Sequence, residues 1–540
     1  MTPDKNSSAN LQTVKTYHEE TKHHYHRYAN ALGYLDWNSQ PDPFRRFIGA
    51  ELIKLSLSQT ADTPRYDDLF TPVKILPAEL SCLSIGQFLE NSLAISAWKQ
   101  LGVSKWALRV NPSSGNLHPT EGYVILPAVE GLSDKPGVFH YAPLEHGLEK
   151  RAVFAKEIWE HLPEHIFFVG LSSIHWREAW KYGERAFRYC QHDVGHAYMA
   201  LDISARMLGW KMNLVSSMGD EKLAQLLGLN RKDEFKEQEG EYPELLAIVN
   251  TKPQDQKIIV ESFDKFIDGV VTGQWFGKAN LLSTYHQEWD VIEVVHQAAL
   301  KPESLHLEIK SQSAAPDVSE EESVLTSRQI VQQRRSAVDM DGQTFMSKKQ
   351  FFKILGQVNA GFEGIPWNSK IDLCFFVHRV TGLEAGIYML VRNMMDAQEK
   401  LYKSLQPDFK WEIPSGCPAG LKFYRLKEGD FIDISKSVSC GQNIAGDGAF
   451  SLAMMAEYDQ SLEEFGAWFY KRLFWEAGMI GQVFYLEAEA IGLSATGIGC
   501  YFDDAVHELL GIKGSAFQDL YHFTVGKALT DDRLTTLPAY

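Results

Sequence analysis

The chain alternates between two hydrophobic spacings, one typical of helices and one typical of strands. Apolar residues that recur every three to four positions predict helices over residues 11–32, 84–100, 176–208, 220–227 and 288–300. Short apolar runs bounded by turn residues predict strands over residues 123–126, 138–141, 165–171 and 245–249. The first two runs are joined by a short turn-rich segment, so we expect them to be neighbours in one sheet.

The sequence repeats itself in its second half. Residues 183–228 align with residues 466–511 without a gap, and the identical positions are Gly183/Gly466, Gly195/Gly478, Ala205/Ala488, Gly209/Gly492, Asp220/Asp503, Leu226/Leu509, Leu227/Leu510 and Gly228/Gly511. Half of these positions are glycines at predicted helix ends or crossings, where backbone geometry sets the choice of residue. The repeat predicts two fused copies of one domain that pack as an internal pseudo-dimer.

A segment rich in Ser, Glu and Pro separates the two copies. Residues 309–326 show no hydrophobic periodicity, which is typical of an interdomain linker. We therefore divide the chain into a first domain at 1–250, a connecting segment and linker at 251–326, and a second domain at 327–540.

One polar turn in the first copy combines small hydrogen-bonding groups with a glycine. Pro112, Ser113, Ser114, Gly115 and Asn116 directly precede the predicted strand at 123–126. A glycine lets backbone amides approach closely, so this turn suits a flat ligand rich in heteroatoms. The corresponding region of the second copy keeps the strand and loses the Ser-Ser-Gly-Asn cluster.

The second copy carries motifs that the first copy lacks. Arg334, Arg335 and Ser336 follow a predicted helix, and paired guanidiniums bind phosphate through charge-assisted bonds. Gly497, Ile498 and Gly499 lie in a glycine-spaced loop that can present backbone N–H groups. The two copies are therefore complementary, as expected if one site is assembled from both.

The composition and net charge limit the partners and the cellular compartment that we expect for this protein. The net charge of −17 argues against a nucleic-acid or anionic-membrane partner. Six dispersed cysteines without a CxxC pair fit a reducing compartment, and no signal peptide or apolar span is apparent, so we expect a cytoplasmic protein. The N-terminal helix offers His18 and His26 with Lys22 between them as an alternative metal site, but a solvated polar helix, or one that caps a partner domain, is the favoured interpretation, and we assign no metal.

Several segments together resemble the nitroreductase-like flavoenzyme superfamily. In the first copy these segments are 17–47, 109–125, 137–149 and 181–196, and they resemble its SagB-type, azoline-oxidising branch. The second copy resembles the same superfamily in more diverged form through RRSA, SCGQNIA and TGIGCYFDD. One departure is the cradle, which reads PSSGN here and is usually closer to PSGG in the SagB-type branch.

The resemblance implies an α+β fold with an antiparallel sheet flanked by helices, and FMN at the interface of the two domains. It implies that Arg334, Arg335 and Ser336 hold the phosphate, while Pro112 to Asn116 reach the flavin from the first domain. Arg533 resembles a late basic residue that helps bind the phosphate, and Arg109 is a further candidate. Lys181 and Tyr182 match a pair thought to act as acid and base in azoline oxidases.

These observations lead to one expected function and one rival. We expect an FMN-dependent oxidoreductase that transfers hydride through flavin N5 at a single composite site, with Lys181 and Tyr182 as catalytic groups. The substrate would be a small molecule or derive from a peptide, and NAD(P)H is a candidate electron donor. The rival is a degenerate flavin-fold binding or scaffold protein without turnover, which the divergence of the second copy favours.

Overall fold

The computed structural model describes residues 5–58, 63–70, 75–253, 263–304, 323, 325–360, 362–392 and 395–540. We call residues 5–304 the first half and residues 325–540 the second half. Most of the predicted linker, 309–322 and 324, lies outside the described residues.

Each half combines antiparallel strands with helices that flank them. The helices of the first half are α1 Lys5–Glu20, α2 Cys82–Glu90, α3 Lys156–Trp159, α4 His175–Tyr182, α5 Ala186–Met207, α6 Asp220–Leu227, α7 Asp264–Val271 and α8 Asp290–Ala298. Its strands are β1 Phe47–Ile48, β2 Leu52–Lys54, β3 Ile95–Leu101, β4 Ser104–Arg109, β5 Thr120–Leu126, β6 Gly137–Ala142, β7 Gly147–Val153, β8 Ile166–Ser173, β9 Lys211–Leu214, β10 Tyr242–Asn250, β11 Gln274–Trp275 and β12 Lys278–Ala279.

The second half repeats the same kinds of element. Its helices are α9 Ser327–Gln333, α10 Lys348–Asn359, α11 Met395–Ser404, α12 Ile432–Val438, α13 Ile444–Asp447, α14 Asp459–Phe465, α15 Phe469–Ala490 and α16 Ala505–Leu510. Its strands are β13 Met346–Ser347, β14 Ile371–Val377, β15 Val380–Thr381, β16 Gly386–Leu390, β17 Phe423–Glu428, β18 Phe450–Glu457, β19 Ser494–Ile498, β20 Phe517–Gly526 and β21 Thr535–Leu537.

The main sheets of the two halves have the same antiparallel core. The order β6-β5-β8-β10-β9 in the first half corresponds to β16-β14-β18-β20-β19 in the second. Helices α5 and α15 also correspond: both span 22 residues, at equivalent positions of the sequence repeat. The predicted tandem α+β architecture, with antiparallel sheets flanked by helices, is confirmed.

Helices α5 and α15 cross at two equivalent glycines. A Cβ added to Gly478 would lie 3.0 Å from the Cα of Gly195, and one added to Gly195 would collide with the backbone carbonyl of Trp475. A glycine at this point is therefore required by the close approach of two backbones. The contact relates the same position of both copies, so the pseudo-dimer axis passes through this crossing.

Two buried ion pairs obey the same symmetry. Arg188 Nη1 of the first half lies 2.6 Å from Asp503 Oδ1 of the second, and Lys471 Nζ of the second half lies 2.8 Å from Asp220 Oδ2 of the first. Arg188 and Lys471 occupy equivalent repeat positions, as do the two aspartates. Each pair lies in the interior, so each carboxylate depends on a cation from the opposite copy.

Both chain ends reach across to the other half. The C-terminal strand β21 pairs with β3, and the Tyr540 hydroxyl donates to the Pro143 carbonyl. At the other end, the His18 ring on α1 hydrogen-bonds Tyr470 and Gln518 of the second half. These exchanges explain why α1 buries a histidine on a face that the sequence alone leaves polar.

Two predicted helices are wrong in extent. The helix expected over 11–32 ends at Glu20, because the following backbone bonds to the other half through Asp503, which accepts from the His23 N–H. His26 is exposed beyond the helix end, so it does not share a helical face with His18. The helix expected over 84–100 is helical only to Glu90, after which the chain forms β3 between β4 and the C-terminal strand.

The long helix expected over 176–208 is two helices. Gly183 adopts φ 54°, and a Cβ there would collide with the Asn30 carbonyl, so the chain turns between α4 and α5. The predicted Gly497–Gly499 loop is likewise largely strand β19, because Gly497 pairs with Phe523 of β20. Among the described residues, no helix combines the length and apolar content needed to cross a lipid bilayer.

Candidate functional site

The turn containing Pro112 to Asn116 is held from inside the first half. The Ser114 N–H donates to Asp193 Oδ1 at 3.0 Å, and the Ser114 hydroxyl donates to the same oxygen at 3.1 Å. Asn116 donates through Nδ2 to the Ala107 carbonyl at 2.9 Å, while Pro112 is buried. Gly115 and Asn116 both adopt left-handed φ values, 59° and 60°, so the turn is tight and fixed in shape.

Lys181 and Tyr182 lie directly against this turn. A Cβ added to Gly115 would be 2.6 Å from Tyr182 Oη and 3.1 Å from Lys181 Nζ. Helix α4 ends at Tyr182, and the turn at Gly183 allows both side chains to reach Gly115. The structure therefore brings the predicted acid–base pair to the predicted cradle, within the same half.

Two buried carboxyl groups lie behind this cluster. Burial raises the pKa of Asp193 to about 7, although its hydrogen bonds with Ser113 and Ser114 act in the opposite direction. Burial also raises the pKa of Glu178 well above its usual value, and the nearby Asp193 raises it further. Both carboxyl oxygens of Glu178 are buried without a hydrogen-bond partner among the described residues. The charge of Lys181 lowers the pKa of Glu178 and opposes these two effects.

Arg334 joins the second half to the first at this turn. Its Nε donates to the Val110 carbonyl at 3.2 Å, and its Nη2 donates to the Arg109 carbonyl at 3.1 Å. The guanidinium is 3% exposed, and its carbon lies 4.9 Å from the centre of the Tyr485 ring. Its third nitrogen, Nη1, is buried without a partner among the described residues, so one donor remains for a ligand.

Ser336 and Gly497 share a single partner, Tyr485. The Tyr485 hydroxyl lies 2.9 Å from Ser336 Oγ and accepts a hydrogen bond from the Gly497 N–H at 3.1 Å. Ser336 also forms a bridge with Ala495 beside β19. The Ser336 hydroxyl and the Gly497 amide, both predicted from the sequence to be site groups, are therefore adjacent, and Tyr485 of α15 connects them.

A group of cations surrounds Glu489 at the same place. Burial raises the pKa of Glu489, whereas Arg334, Arg335 and Lys527 lower it through their charges. Arg335 also donates to the Ser96 carbonyl of the first half at 3.2 Å. Burial and the neighbouring Arg334 lower the pKa of Arg335 to about 10. Three cations around one carboxylate leave a net positive charge, which favours an anion.

Aromatic side chains connect this cationic group with Lys181 and Tyr182. The Tyr189 hydroxyl donates to the Gly499 carbonyl at 3.0 Å, and its ring lies 4.6 Å from the Tyr182 ring. The Tyr521 hydroxyl occupies the space in front of Gly497, and the Tyr521 ring stacks on His192 at 4.1 Å. Side chains at Gly497 or Gly499 would collide with these rings. Ile498 is buried between the glycines.

Arg109 and Arg533 contribute their side chains elsewhere. The Arg109 guanidinium donates to the Pro43 carbonyl at 2.5 Å and lies over the Phe44 ring, so only its backbone carbonyl meets Arg334. Burial lowers the pKa of Arg109 to about 10. Arg533 has a side chain 79% exposed, and its described hydrogen bonds all go to Asp531. Lys527 is the late basic residue that faces the cations.

Sequence reasoning missed several residues of this cluster. Asp193, Tyr485 and Tyr521 come from the middle of long buried elements, where their polar groups look like ordinary breaks in an apolar pattern. One signal was present: Asp193 lies two positions before the crossing glycine Gly195, on a face that is otherwise apolar. Its partner Ser114 is distant in sequence and could not be inferred.

Comparisons with known proteins agree with this architecture. Residues 99–236 and 391–527 each match the family model described as Nitroreductase family, and the two matches cover just over half of the chain. The chain therefore belongs to the nitroreductase family, with two nitroreductase domains in tandem.

Individual relatives share limited sequence identity with this chain. A candidate nitroreductase of Methanocaldococcus jannaschii, MJ1384, is 27% identical over 151 residues, which cover 26% of this chain and 69% of that protein. A crystal structure of a candidate nitroreductase from Anabaena variabilis superposes with a TM-score of 0.66 at 20% identity, covering 96% of this chain and 99% of that one. The McbBCD microcin synthetase complex of E. coli gives a TM-score of 0.27 at 18% identity, covering 45% of this chain and 93% of that one. The Anabaena structure thus shares the whole two-domain fold.

Proposed function

We propose that this chain is an FMN-dependent oxidoreductase with a single composite site between its two domains. The observation that carries the proposal is the contact of Arg334 with the Arg109 and Val110 carbonyls, immediately before the Pro112–Asn116 turn. The motifs divided between the two halves thus meet in one place. Family membership supports flavin-dependent oxidoreductase chemistry.

The residues at this place fit a phosphorylated flat cofactor. Arg334 keeps a buried, unpartnered Nη1 donor, and Arg335 and Lys527 add positive charge. Gly115, Gly497 and Gly499 let the side chains of Tyr182, Tyr521 and Tyr189 approach the backbone closely, so aromatic rings line the place where a flat ring system would lie. In the proposed complex Arg334, Arg335 and Ser336 hold the phosphate, and Ser113, Ser114 and Asn116 contact the ring system. FMN bound here would supply a two-electron hydride acceptor and donor at N5.

The chain's own contribution to the chemistry is proton transfer beside the turn. Lys181 Nζ and Tyr182 Oη both point at Gly115, so either can exchange a proton with a substrate held on that turn. Glu178 is buried next to Lys181, and burial raises the pKa of its carboxyl, which favours the protonated form and suits it to return a proton to the pair. Burial raises the pKa of Tyr182 well above its usual value, so Tyr182 acts as a neutral donor.

The substrate is proposed only by class. The Lys181-Tyr182 pair and the surrounding segments resemble the SagB-type azoline-oxidising branch, which favours dehydrogenation of a small or peptide-derived heterocycle. NAD(P)H is the proposed donor if the enzyme runs in the reducing direction. The substrate or NAD(P)H would reach the site at Gly115, which is exposed to solvent.

A flavin-fold scaffold without turnover is a second candidate, and one observation favours it. The Gly497 N–H already bonds Tyr485, and Tyr521 fills the space in front of the same glycine. In a scaffold these tyrosines would close the site permanently.

The visible spectrum of the purified protein, recorded with and without added FMN, separates the candidates. The oxidoreductase should bind FMN and show bleaching of the flavin band on anaerobic addition of NADH, NADPH or a reduced substrate. Protein that stays colourless after incubation with FMN would contradict the proposal. Flavin that binds but is bleached by none of these donors would favour the scaffold.

A further inference from the structure

Two cysteines from different parts of the second half lie side by side next to this site. The Sγ atoms of Cys440 and Cys500 are 2.8 Å apart, and both residues are free and half-buried. A disulfide bond is about 2.05 Å long, so closing one requires a movement of less than about 1 Å. None of the other four described cysteines hydrogen-bonds a second sulfur: Cys190 and Cys374 are fully buried, and Cys82 and Cys417 are half-buried, with the Cys417 thiol bonded to backbone carbonyls.

The surroundings of the two sulfurs differ in a way that assigns separate roles. The contact between the two sulfurs, the ring of His23 and the charge of Arg185 lower the pKa of the Cys500 thiol, although burial acts in the opposite direction. The same contact raises the pKa of Cys440. Cys500 is therefore the thiolate and Cys440 the proton-bearing partner, as in dithiol sites where one sulfur attacks and the other resolves.

The hydrogen bonding of His23 supports this assignment independently of any charge. The Ala29 N–H donates to His23 Nδ1 at 3.0 Å, so the neutral ring carries its proton on Nε2. That nitrogen is the one left to face the Cys500 sulfur. His23 itself is fixed by its backbone, which pairs with Asp503 in both directions.

The backbone and the outer surface also suit a reactive pair. Cys440 adopts a left-handed φ of 57°, which is uncommon for a residue with a side chain and which turns its sulfur toward Cys500. Tyr25 and Tyr28 are about half exposed beside Phe502, and Cys440 and Cys500 are close enough to Tyr28 to help raise the pKa of its hydroxyl, after the effect of burial. Two half-buried sulfurs bordered by aromatic side chains are more accessible to a small molecule than to the surface of another protein.

We propose that Cys440 and Cys500 form a redox-active dithiol that reduces a low-molecular-weight disulfide, RSSR, and closes to an intramolecular disulfide. The Cys500 thiolate attacks one sulfur of RSSR, the S–S bond breaks, and RS⁻ leaves. The Cys440 sulfur then attacks Cys500 Sγ, expels the second RS⁻ and releases its proton. The dithiol loses two electrons and RSSR gains them; one RS⁻ takes the proton of Cys440 and the other takes from water the proton that Cys500 gave up on ionising, so two RSH molecules form. This reaction uses no flavin, so it can be tested apart from the proposed oxidoreductase activity.

The test is anaerobic equilibration of the full chain with oxidised and reduced glutathione, followed by acid quenching, alkylation and peptide mapping. In an oxidising mixture, two of the six cysteines should resist alkylation and appear as one Cys440–Cys500 cross-linked peptide. Free Cys440 and Cys500 in mixtures that oxidise ordinary vicinal dithiols would overturn the proposal. A cross-link that involves another cysteine would overturn it as well.

Single variants test the separate roles. Cys440→Ser should stop at a glutathione adduct on Cys500, whereas Cys500→Ser should leave Cys440 free under the same conditions. Cys417→Ser is the matched control, since Cys417 is half-buried but unpaired among the described cysteines, and it should still form the cross-link. Equal adduct formation in the first two variants would contradict the assignment of Cys500 as the attacking sulfur.

The pH dependence of alkylation gives a readout that does not depend on disulfide formation. From pH 8 to pH 6 the alkylation rate of an ordinary thiol falls roughly a hundredfold, because its thiolate fraction falls about tenfold per pH unit. We expect Cys417 to follow this behaviour and Cys500 to change by less than about threefold. A Cys500 rate that falls in parallel with that of Cys417 would overturn the proposal.

Discussion

The guanidinium of Arg334, in the second half, donates a hydrogen bond to the backbone carbonyl of Val110, in the first. This bond connects the proposed phosphate clamp of one copy to the ligand-binding turn of the other. Each half lacks what its partner supplies at this place. The proposed function therefore depends on how accurately the two halves are held together.

The crossing of α5 and α15 is the first feature that holds them. We expect Gly195→Ala to destabilise the protein by about 1–3 kcal/mol or to prevent folding, because the new Cβ would collide with the Trp475 carbonyl. Urea unfolding followed by far-UV circular dichroism measures the change. Gly240→Ala is the control, since the nearest atom to its added Cβ is 4.0 Å away. Equal stability of the two variants would show that the helices are not in close contact.

The buried ion pairs are the second feature. Asp503 accepts from Arg185 and Arg188 in the interior, and these cations keep the pKa of the carboxyl well below its usual range. We expect Asp503→Ala to cost about 3–5 kcal/mol, since it leaves two buried guanidiniums without their counter-charge. Lys403→Ala, which removes an exposed pair with Glu399, should cost less than about 0.5 kcal/mol. Thermal unfolding compares them, and similar melting temperatures would contradict the account.

Asp193 gives the protein a defined dependence of stability on pH. Its pKa is raised from 3.8 to about 7 on folding, so its contribution is fully present below about pH 4 and is lost as the pH rises to 7. An asparagine side chain does not ionise, so Asp193→Asn removes this loss of stability at higher pH and keeps an oxygen that accepts a hydrogen bond from Ser114. The free energy of unfolding of the variant relative to wild type should therefore increase by about 1.4 kcal/mol per pH unit between pH 4 and 7. A difference that does not change with pH would show that Asp193 is ionised throughout.

Lys181 and Tyr182 should affect turnover rather than cofactor binding. We expect Lys181→Met to lower kcat by roughly 10²–10⁴-fold with flavin content unchanged, because a proton-transfer group is lost and no proposed phosphate contact is touched. Tyr182→Phe should have a smaller effect of the same kind. Steady-state rates with NADH or NADPH and an artificial acceptor, set against the flavin absorbance, check this. Unchanged kcat in Lys181→Met would remove Lys181 from the mechanism.

The sequence predicted the elements and symmetry that depend on local pattern. The repeat anticipated both the register of α5 with α15 and the crossing at Gly195, because a shared glycine pattern reflects a shared backbone geometry. Prediction from the sequence failed where contacts with a distant segment determine the local structure. The chain leaves α1 at Glu20 to meet Asp503, and residues after Glu90 form a strand beside the C-terminal strand.

The residues of the candidate site fall into the same two groups, those that a local motif indicates and those that only distant contacts bring to the site. Pro112 to Asn116, Lys181, Tyr182, Arg334 and Ser336 could be named because each belongs to a short motif with recognisable chemistry. Asp193, Tyr485 and Lys527 could not, because their role comes from contacts with residues far away in the chain. Arg533 was named because it resembles the late basic residue of the family, and its side chain lies at the surface.

The stoichiometry of bound FMN tests the central claim most directly. After reconstitution with excess FMN and gel filtration, flavin absorbance per chain should show about one FMN in wild type, since only one pair of complementary motifs exists. The double variant Arg334→Ala, Arg335→Ala should lose it, whereas Arg533→Ala, which removes an exposed arginine paired with Asp531, should keep it. Two FMN per chain, or undiminished FMN in the double variant, would contradict a single site built from both halves.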